Sequence, residues 1–144
     1  MSANSLSVPT TLDSLEEIAA FVQAAAEAAG LGQQAHYRLR LATDELVTNI
    51  ITHGYKGAAV PGTLELRFEM DEKTLRVILE DRGVPFDPRQ LPAPDDLHLP
   101  VRQRKIGGLG VYLALQSVDR FDYERIDDRN RNVLIMDRPP PVSA

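Results

Sequence analysis

The sequence predicts one α+β domain, a two-layer sandwich in which helices pack on one face of a mixed or antiparallel β-sheet. The chain has 144 residues, which is the usual size of a single domain. Two segments with helical periodicity come first, and segments with the alternating periodicity of strands follow in pairs. Helices and strands that are segregated along a chain in this way are typical of α+β folds. We therefore expect residues 1–144 to form a single domain.

Helical spacing of apolar residues predicts a first helix over residues 14–29 and a second helix from about residue 33 to residue 53. Ser14 followed three positions later by Glu17 matches a capping box, in which two side chains satisfy backbone N–H groups at a helix start. Gly30 is a natural end for the first helix, because glycine tolerates the left-handed conformation that closes many helices.

Two β-hairpins are predicted further along the chain. Residues 62–70 alternate apolar and polar side chains, and residues 74–81 form the partner strand after a short polar turn. Near the C-terminus, strands at about 119–126 and 131–138 are joined by a turn over residues 127–130. The sequence of that turn, Asp-Asp-Arg-Asn, is rich in residues that favour turns.

A long segment without periodicity separates the two hairpins. Residues 83–108 contain five of the ten prolines of the chain. Connections of this length in compact domains are usually functional lids or disordered segments. We expect a lid over residues 84–107 that leads into a third helix at 108–118, and a frayed tail at 139–144.

The composition excludes several classes of function. The chain has no cysteine, which removes disulfides, thiolate zinc sites and cysteine nucleophiles. Its formal net charge of −5 argues against a broad nucleic-acid-binding surface. No apolar run reaches the roughly 18 residues that a membrane span requires, and the N-terminus lacks the pattern of a signal peptide. We therefore expect a cytoplasmic protein with no direct nucleic-acid or membrane partner.

The second predicted helix carries a polar stripe. Glu45, Asn49 and His53 are spaced four residues apart, so they share one helix face beside a set of apolar positions. Asparagine is unfavourable in the middle of a helix, because its side chain competes with the backbone for hydrogen bonds. A solvated face is the alternative explanation, and the stripe alone does not decide between the two.

The second strand of the first hairpin ends in Asp81, and Gly83 follows it. A carboxylate at a strand end can accept hydrogen bonds from an exocyclic amine of a ligand. A glycine beside it lets a ligand approach the backbone without a Cβ in the way. Ordinary turn chemistry also accounts for this pair, and both interpretations stay open at this point.

The predicted lid ends in residues 102–110, whose sequence RQRKIGGLG combines three cations with three glycines and opens into the third helix. Glycines leave the backbone N–H groups of a helix start accessible, and such a start binds anions with the help of the helix dipole. The spacing matches neither a Walker-type phosphate loop nor a Rossmann motif. A flexible hinge with surface cations is the alternative interpretation.

Taken together and in this order, the three motifs resemble those of the Bergerat-fold or GHKL ATPases, the superfamily of gyrase B and the histidine kinases. Residues 45–49 (ELVTN) are similar to its N box, residues 81–86 (DRGVPF) to its first glycine box, and residues 107–110 (GGLG) to its second. Within the superfamily, the chain most resembles the anti-sigma-factor serine/threonine kinases. The resemblance covers roughly residues 8–138 and includes a similar final strand at 131–138.

The resemblance implies roles for four residues of the first two motifs. Asn49 would coordinate a Mg²⁺ ion that bridges the phosphates of ATP. Glu45, one helical turn earlier, would be the catalytic general base for a substrate hydroxyl or water. Asp81 would hold the adenine amine, and Gly83 would leave space for the adenine ring.

The resemblance also implies a phosphate-binding role for the end of the ATP lid. Gly107, Gly108 and Gly110 would cradle the phosphates. Arg104 or Lys105 would reach the γ-phosphoryl group. Such a division of roles suits phosphoryl transfer, in which positioning and charge stabilisation supply most of the catalysis.

The leading hypothesis from this resemblance is an ATP-dependent protein serine/threonine kinase of the anti-sigma type. It would phosphorylate a STAS-domain antagonist, an anti-anti-sigma-like protein, and would regulate by partner switching. A sigma factor and a second copy of the chain are further partners that the resemblance implies. Two alternatives stay open, a nucleotide-binding module that inhibits a regulator without kinase activity and a free-standing ATP hydrolase.

Overall fold

The computed structural model describes residues 4–54, 62–90 and 109–140. In this part of the chain, five strands form one antiparallel sheet in the order β1-β2-β3-β5-β4, and the helices cover one face of it. The strands are β1 (Ser5–Pro9), β2 (Thr63–Met70), β3 (Thr74–Asp81), β4 (Arg120–Ile126) and β5 (Arg129–Asp137). The helices are α1 (Leu15–Ala29), α2 (Gln33–Asn49) and α3 (Leu109–Ser117). Within these ranges, no helix is both long enough and apolar enough to cross a lipid bilayer.

The predicted α+β class is confirmed, with helices on one side of the sheet. All four described strand pairs are antiparallel, which decides between the mixed and antiparallel alternatives for these strands. The sequence analysis missed β1, which is five residues long and pairs with β2 at one edge of the sheet. Only Val8 of its five residues is buried, so β1 is too short to be recognised by periodicity.

The predicted capping box at the start of α1 is wrong. Ser14 has φ −78° and ψ −10°, whereas a capping side chain requires an extended backbone at that position. Its hydroxyl instead donates to the carbonyl oxygen of Pro9 at 2.7 Å, and a short helical turn at Leu12–Ser14 leads into α1. The predicted end of the helix is confirmed, because Gly30 adopts the left-handed conformation with φ +72°.

The second helix ends earlier than the prediction. α2 stops at Asn49, and Ile50–Gly54 forms a wider π-helical turn. Turns of this kind are rare and are found frequently at functional sites. The regular spacing that placed His53 on one face with Glu45 and Asn49 therefore ends at Asn49.

The core lies between the helices and the covered face of the sheet. Phe21 of α1 and Phe68 of β2 pack edge to face, with ring centroids 5.6 Å apart. The largest fully buried side chains of the core come from both layers and include Ile18, Val22, Leu39, Leu46, Leu66, Val77, Leu79 and Leu134. Each such side chain contributes about 1.5–3 kcal/mol by leaving water, so this layer holds α2 and β3 in a fixed relation.

The opposite face of the sheet carries charged side chains, and Glu80 is the most buried of them. It is 5% exposed and contacts three arginines of neighbouring strands. Arg131 donates to one carboxylate oxygen at 2.5 Å, while Arg67 and Arg129 reach the other at 3.2 Å and 3.5 Å. Burial alone would raise the pKa of Glu80, but the hydrogen bond and charge of Arg131 and the charges of Arg67 and Arg129 outweigh it. The pKa therefore lies below its ordinary value.

We expect Glu80→Gln to lower the free energy of unfolding at neutral pH by about 1.5–3 kcal/mol, because the amide loses hydrogen bonds to charged groups. Since folding lowers the pKa of Glu80, its contribution is complete above the ordinary value of 4.5. It is lost as the pH falls through the lower folded-state pKa. Urea unfolding of both proteins from neutral to acidic pH measures the difference, which should shrink below pH 4.5.

Glu124→Gln is the matched control. Glu124 pairs with the same Arg131 at 3.1 Å, but its side chain is 58% exposed. Exposed pairs of this kind contribute about 0–1 kcal/mol. Equal losses of stability in the two variants would contradict the conclusion that the buried interactions of Glu80 stabilise the protein more than the exposed pair does.

Candidate functional site

A cavity of about 240 Å³ lies between the C-terminal end of α2, the loop that follows β3, and β5. It contains two of the residues predicted to bind a ligand, Asn49 and Asp81. Its walls are mainly apolar, with a few polar groups, as is usual for small-molecule sites. The lining residues are Leu46, Asn49, Ile50, His53, Gly54, Asp81, Val84, Pro85, Phe86, Pro88, Asn130 and Asn132.

Asp81 is the last residue of β3 and is 3% exposed. Its Oδ1 accepts two hydrogen bonds, from the backbone N–H of Gly83 at 2.8 Å and from Nδ2 of Asn130 at 3.2 Å. Its Oδ2 is buried and has no hydrogen-bond partner in the described part of the chain. A buried acceptor without a partner is costly and uncommon in folded proteins. Asp81 therefore offers one carboxylate oxygen to a donor that enters the cavity.

Burial raises the pKa of Asp81, and this effect exceeds the lowering by the hydrogen bonds from Gly83 and Asn130 and by the charge of Arg125. A raised pKa means that the folded state binds the proton more tightly than the unfolded state. Ionisation of Asp81 therefore opposes folding as the pH rises above the ordinary value of 3.8. A carboxylate that is kept at a cost in stability is typical of a functional site.

Two further polar residues of the cavity, Asn130 and Asn132, were missed by the sequence analysis. The predicted turn over 127–130 included Asn130, but β5 begins at Arg129, so both asparagines belong to the strand. They are 4% and 3% exposed, and Oδ1 of Asn132 has no hydrogen-bond partner among the described residues. Alternation along β5 places them on the same face as the buried Leu134. The sequence signal that could have identified these two asparagines is the presence of amide side chains at core-facing positions of a strand.

Gly83 brings the loop after β3 directly against the end of the π-helical turn that follows α2. A Cβ at this position would lie 2.7 Å from the carbonyl oxygen of Gly54 and 2.9 Å from Oδ1 of Asp81. The next residue, Val84, donates its backbone N–H to the same carbonyl of Gly54 at 3.2 Å. The sequence analysis assigned Gly83 to ligand space, and the structure adds a second reason for glycine here, the close approach of two backbone segments.

Glu45 faces the first turn of α3. A Cβ at Gly110 would overlap Oε2 of Glu45, so the carboxylate lies against the bare backbone of Gly110. Carboxylates near a helix N-terminus are stabilised by the helix dipole. The structure thus brings Glu45 and Gly110 together beside α2, while Asn49, one turn later, lines the cavity.

Four of the predicted phosphate-binding residues, Arg104, Lys105, Gly107 and Gly108, lie outside the described residues. The predicted lid over 84–107 is described only as far as Gln90, where Pro88–Gln90 forms a short helical turn. Of the predicted tail, residues 139 and 140 are described and residues 141–144 are not.

The polar atoms of the cavity can be compared with the hydrogen-bond partners and metal ligands that ATP and Mg²⁺ require. The free Oδ2 of Asp81 fits an exocyclic amine, because it is an unpartnered acceptor at an apolar wall. Among the described residues, no three His, Cys, Asp or Glu side chains are grouped to hold a metal. Mg²⁺ takes oxygen ligands and in nucleotide sites is held largely by phosphates and water. Asn49 lines the cavity and its amide oxygen would be one such ligand, so the residues present fit both groups.

Comparisons with known proteins agree with this architecture. Residues 8–138 match the histidine kinase-like ATPase domain. The serine-protein kinases RsbW of Bacillus cereus and Bacillus anthracis are each 32% identical to the chain over 100 residues, which are 67% of this chain and 60% of either relative. The chain therefore belongs to the histidine kinase-like ATPase domain family. It spans less than two thirds of the length of these curated relatives.

Solved structures show the same fold at low sequence identity. The RsbU and RsbW domains of Rv1364c from Mycobacterium tuberculosis superpose with a TM-score of 0.58 at 15% identity, over 97% of this chain and 34% of that one. The histidine kinase AdeS of Acinetobacter baumannii gives a TM-score of 0.51 at 13% identity, over 92% of this chain and 68% of that one. The resemblance to the GHKL superfamily and its serine kinases is confirmed.

We expect Gly83→Ala to lower the free energy of unfolding by about 1–3 kcal/mol, because the added methyl group meets backbone atoms that cannot move aside independently. Thermal or urea unfolding of the free protein measures this loss. Gly32→Ala is the control, since a Cβ there meets no atom within 4 Å. Gly32 is the N-cap residue of α2, where glycine is preferred to alanine, so the control has a cost of its own and the loss in Gly83→Ala should exceed it. A stable Gly83→Ala protein would contradict the close approach of the loop to α2.

Proposed function

We propose that this protein is an ATP-dependent protein serine/threonine kinase. The observation that carries the proposal is the unpartnered Oδ2 of Asp81 in the cavity that Asn49 also lines. Membership of the histidine kinase-like ATPase family and similarity to serine-protein kinases support the same conclusion.

The adenine base would occupy the cavity between α2, β5 and the loop after β3. Oδ2 of Asp81 would accept a hydrogen bond from the exocyclic amine of adenine. The apolar side chains of Ile50, Val84 and Phe86 would contact the faces and edges of the ring. Burial of an apolar ring with one directed polar contact is the usual balance in nucleobase sites.

The phosphates would extend from the cavity towards α3. Asn49 would be an oxygen ligand of Mg²⁺, and the metal would supply charge neutralisation to the phosphates when it is bound. Gly110, in the first turn of α3, and Gly107 and Gly108 before it would offer backbone N–H groups to the phosphates. Arg104 or Lys105 would add positive charge near the γ-phosphoryl group.

Glu45 would act as the general base. The contact of its carboxylate with Gly110 at the start of α3, one helical turn before Asn49 on α2, supports this role. A carboxylate at this point would accept the proton of a serine or threonine hydroxyl that attacks the γ-phosphorus atom. General base catalysis of this kind contributes typically 10²–10⁴-fold to a rate.

The protein substrate, by the resemblance described above, would be a STAS-domain antagonist, and a sigma factor would be a further binding partner. Partner switching is then a linkage effect, since the nucleotide and the protein partner each favour the complex in which the other binds better. The supporting observation is the similarity to the RsbW kinases.

We expect Asp81→Asn to lower the affinity for ATP roughly tenfold to a hundredfold, because an amide N–H would replace the acceptor that faces the adenine amine. The variant should keep its stability. Because burial raises the pKa of Asp81, removal of the charge relieves a cost at neutral pH. Calorimetric titration with Mg-ATP and thermal unfolding test the two parts separately. Unchanged affinity would remove Asp81 from the nucleotide site.

We expect Glu45→Gln to keep Mg-dependent ATP binding and to reduce phosphoryl transfer by about 10²–10⁴-fold, because the amide keeps the shape of the carboxylate but is not a base. Asn49→Ala is the contrasting variant, in which Mg-dependent binding itself should be lost. Calorimetry measures binding, and mass spectrometry of a STAS-domain protein incubated with Mg-ATP measures transfer.

The results for the variants and for the wild-type protein distinguish the kinase from the two alternatives. Transfer at the wild-type rate in Glu45→Gln would show that the base assignment is wrong. ATP binding without transfer by the wild-type protein to any STAS-domain protein would favour the non-catalytic nucleotide-binding module. Steady ADP production without a protein partner would favour the ATP hydrolase.

A further inference from the structure

We propose that Asn130 is a positioning residue that fixes the rotation of the Asp81 carboxylate, so that its unpartnered oxygen faces the nucleobase, and that it thereby sets the preference for a purine with an exocyclic amine. The proposal rests on the proposed nucleotide-binding function. It concerns a residue that the sequence motifs do not contain, because Asn130 lies on β5, 49 positions from Asp81 along the chain.

Two donors determine the orientation of the Asn130 amide. The backbone N–H of Phe86 donates to Oδ1 at 3.3 Å, and the hydroxyl of Tyr123 donates to the same oxygen. A backbone N–H is only a donor, so the atom of the amide that it contacts must be the oxygen. The Nδ2 group of Asn130 is therefore directed to the opposite side, where Asp81 lies.

On that side, Nδ2 of Asn130 contacts three acceptors. It donates to Oδ1 of Asp81 at 3.2 Å and to the carbonyl oxygen of Val84 at 3.0 Å, and it lies 3.4 Å from the carbonyl oxygen of Gly83. Arg125 also reaches the carbonyl of Gly83, at 3.1 Å. One amide group thus links the carboxylate that would recognise the base to the loop that forms a wall of the cavity.

The consequence for Asp81 is a difference between its two oxygens. Oδ1 is satisfied by Gly83 and Asn130, whereas Oδ2 is buried without a partner. The terminal torsion of an aspartate is broad and two-fold, so a single donor fixes it weakly. With the second donor, from Asn130, the side chain keeps Oδ2 free for the ligand. The position of the free acceptor therefore depends on Asn130 and, through it, on Tyr123.

The test compares ATP with purine riboside triphosphate, which lacks only the 6-amino group, as Mg²⁺ complexes in calorimetric titrations. The wild-type protein should bind ATP roughly tenfold or more tightly than the analogue, because one hydrogen bond to a carboxylate distinguishes them. In Asn130→Asp, the acceptor for Phe86 and Tyr123 remains but the donor to Asp81 is replaced by an oxygen. The ratio of the two affinities should fall towards one in this variant as the pH is raised, because a proton shared between the two neighbouring carboxylates at lower pH restores the hydrogen bond.

Further variants separate positioning from folding. Tyr123→Phe removes one of the two donors that orient Asn130. It should lower the ratio of the affinities for ATP and the analogue to an intermediate value, and the variant should remain folded. Asp128→Asn is the matched control in the same hairpin. Its side chain is exposed and pairs with Arg82, and the ratio should stay at the wild-type value.

The outcomes are distinguishable. If Asn130→Asp and Tyr123→Phe weaken ATP and the analogue by the same factor, Asn130 has a structural role only and the proposal is overturned. If the wild-type protein binds neither nucleotide, the proposed function fails and this proposal fails with it. If the wild-type protein binds both equally, amine recognition by Asp81 is wrong, while nucleotide binding itself stands.

Discussion

The close approach of the loop after β3 to the π-helical turn that follows α2 is the constraint on which the cavity depends. Gly83 permits it, because any larger residue would meet the carbonyl of Gly54. The hydrogen bond from Val84 to that carbonyl then fixes the distance between the sheet and the helix end. This junction places Asp81 from β3 and Asn49 from α2 on the walls of one cavity. The relative position of the cavity walls is therefore set by a contact between two backbone segments.

Two neighbouring carboxylates at the end of β3 show how the sheet separates structural from functional charge. Glu80 and Asp81 are both almost fully buried but point to opposite faces of the strand. Three arginines surround Glu80 and lower its pKa. Asp81 has one oxygen satisfied and one unpartnered, and burial raises its pKa. The first carboxylate stabilises the sheet, and the second retains an unused acceptor at the cavity.

The two proposed ends of the ligand site depend on different parts of the fold. The nucleobase end is formed by β3, β5 and the wider turn after α2, all of which are tied to the core. The proposed phosphate end is formed where Glu45 of α2 meets the bare backbone of Gly110 at the start of α3. Asn49 lies one helical turn from Glu45 and belongs to the cavity. The single helix α2 therefore connects the two proposed ends of the ligand site.

The sequence by itself determined the α+β class, the end of α1 at Gly30 and the approximate place of each predicted element, because periodicity and glycine conformation act locally. It also singled out Asn49, whose residue type is unfavourable in the middle of a helix, and Asp81, which ordinary turn chemistry explains equally well. It did not determine β1, the π-helical turn after α2 or the two asparagines of β5, which depend on contacts with distant strands. Only the tertiary structure brought Asn130 to Asp81 and set the direction of the free carboxylate oxygen, because this arrangement requires hydrogen bonds among β4, β5 and the loop after β3.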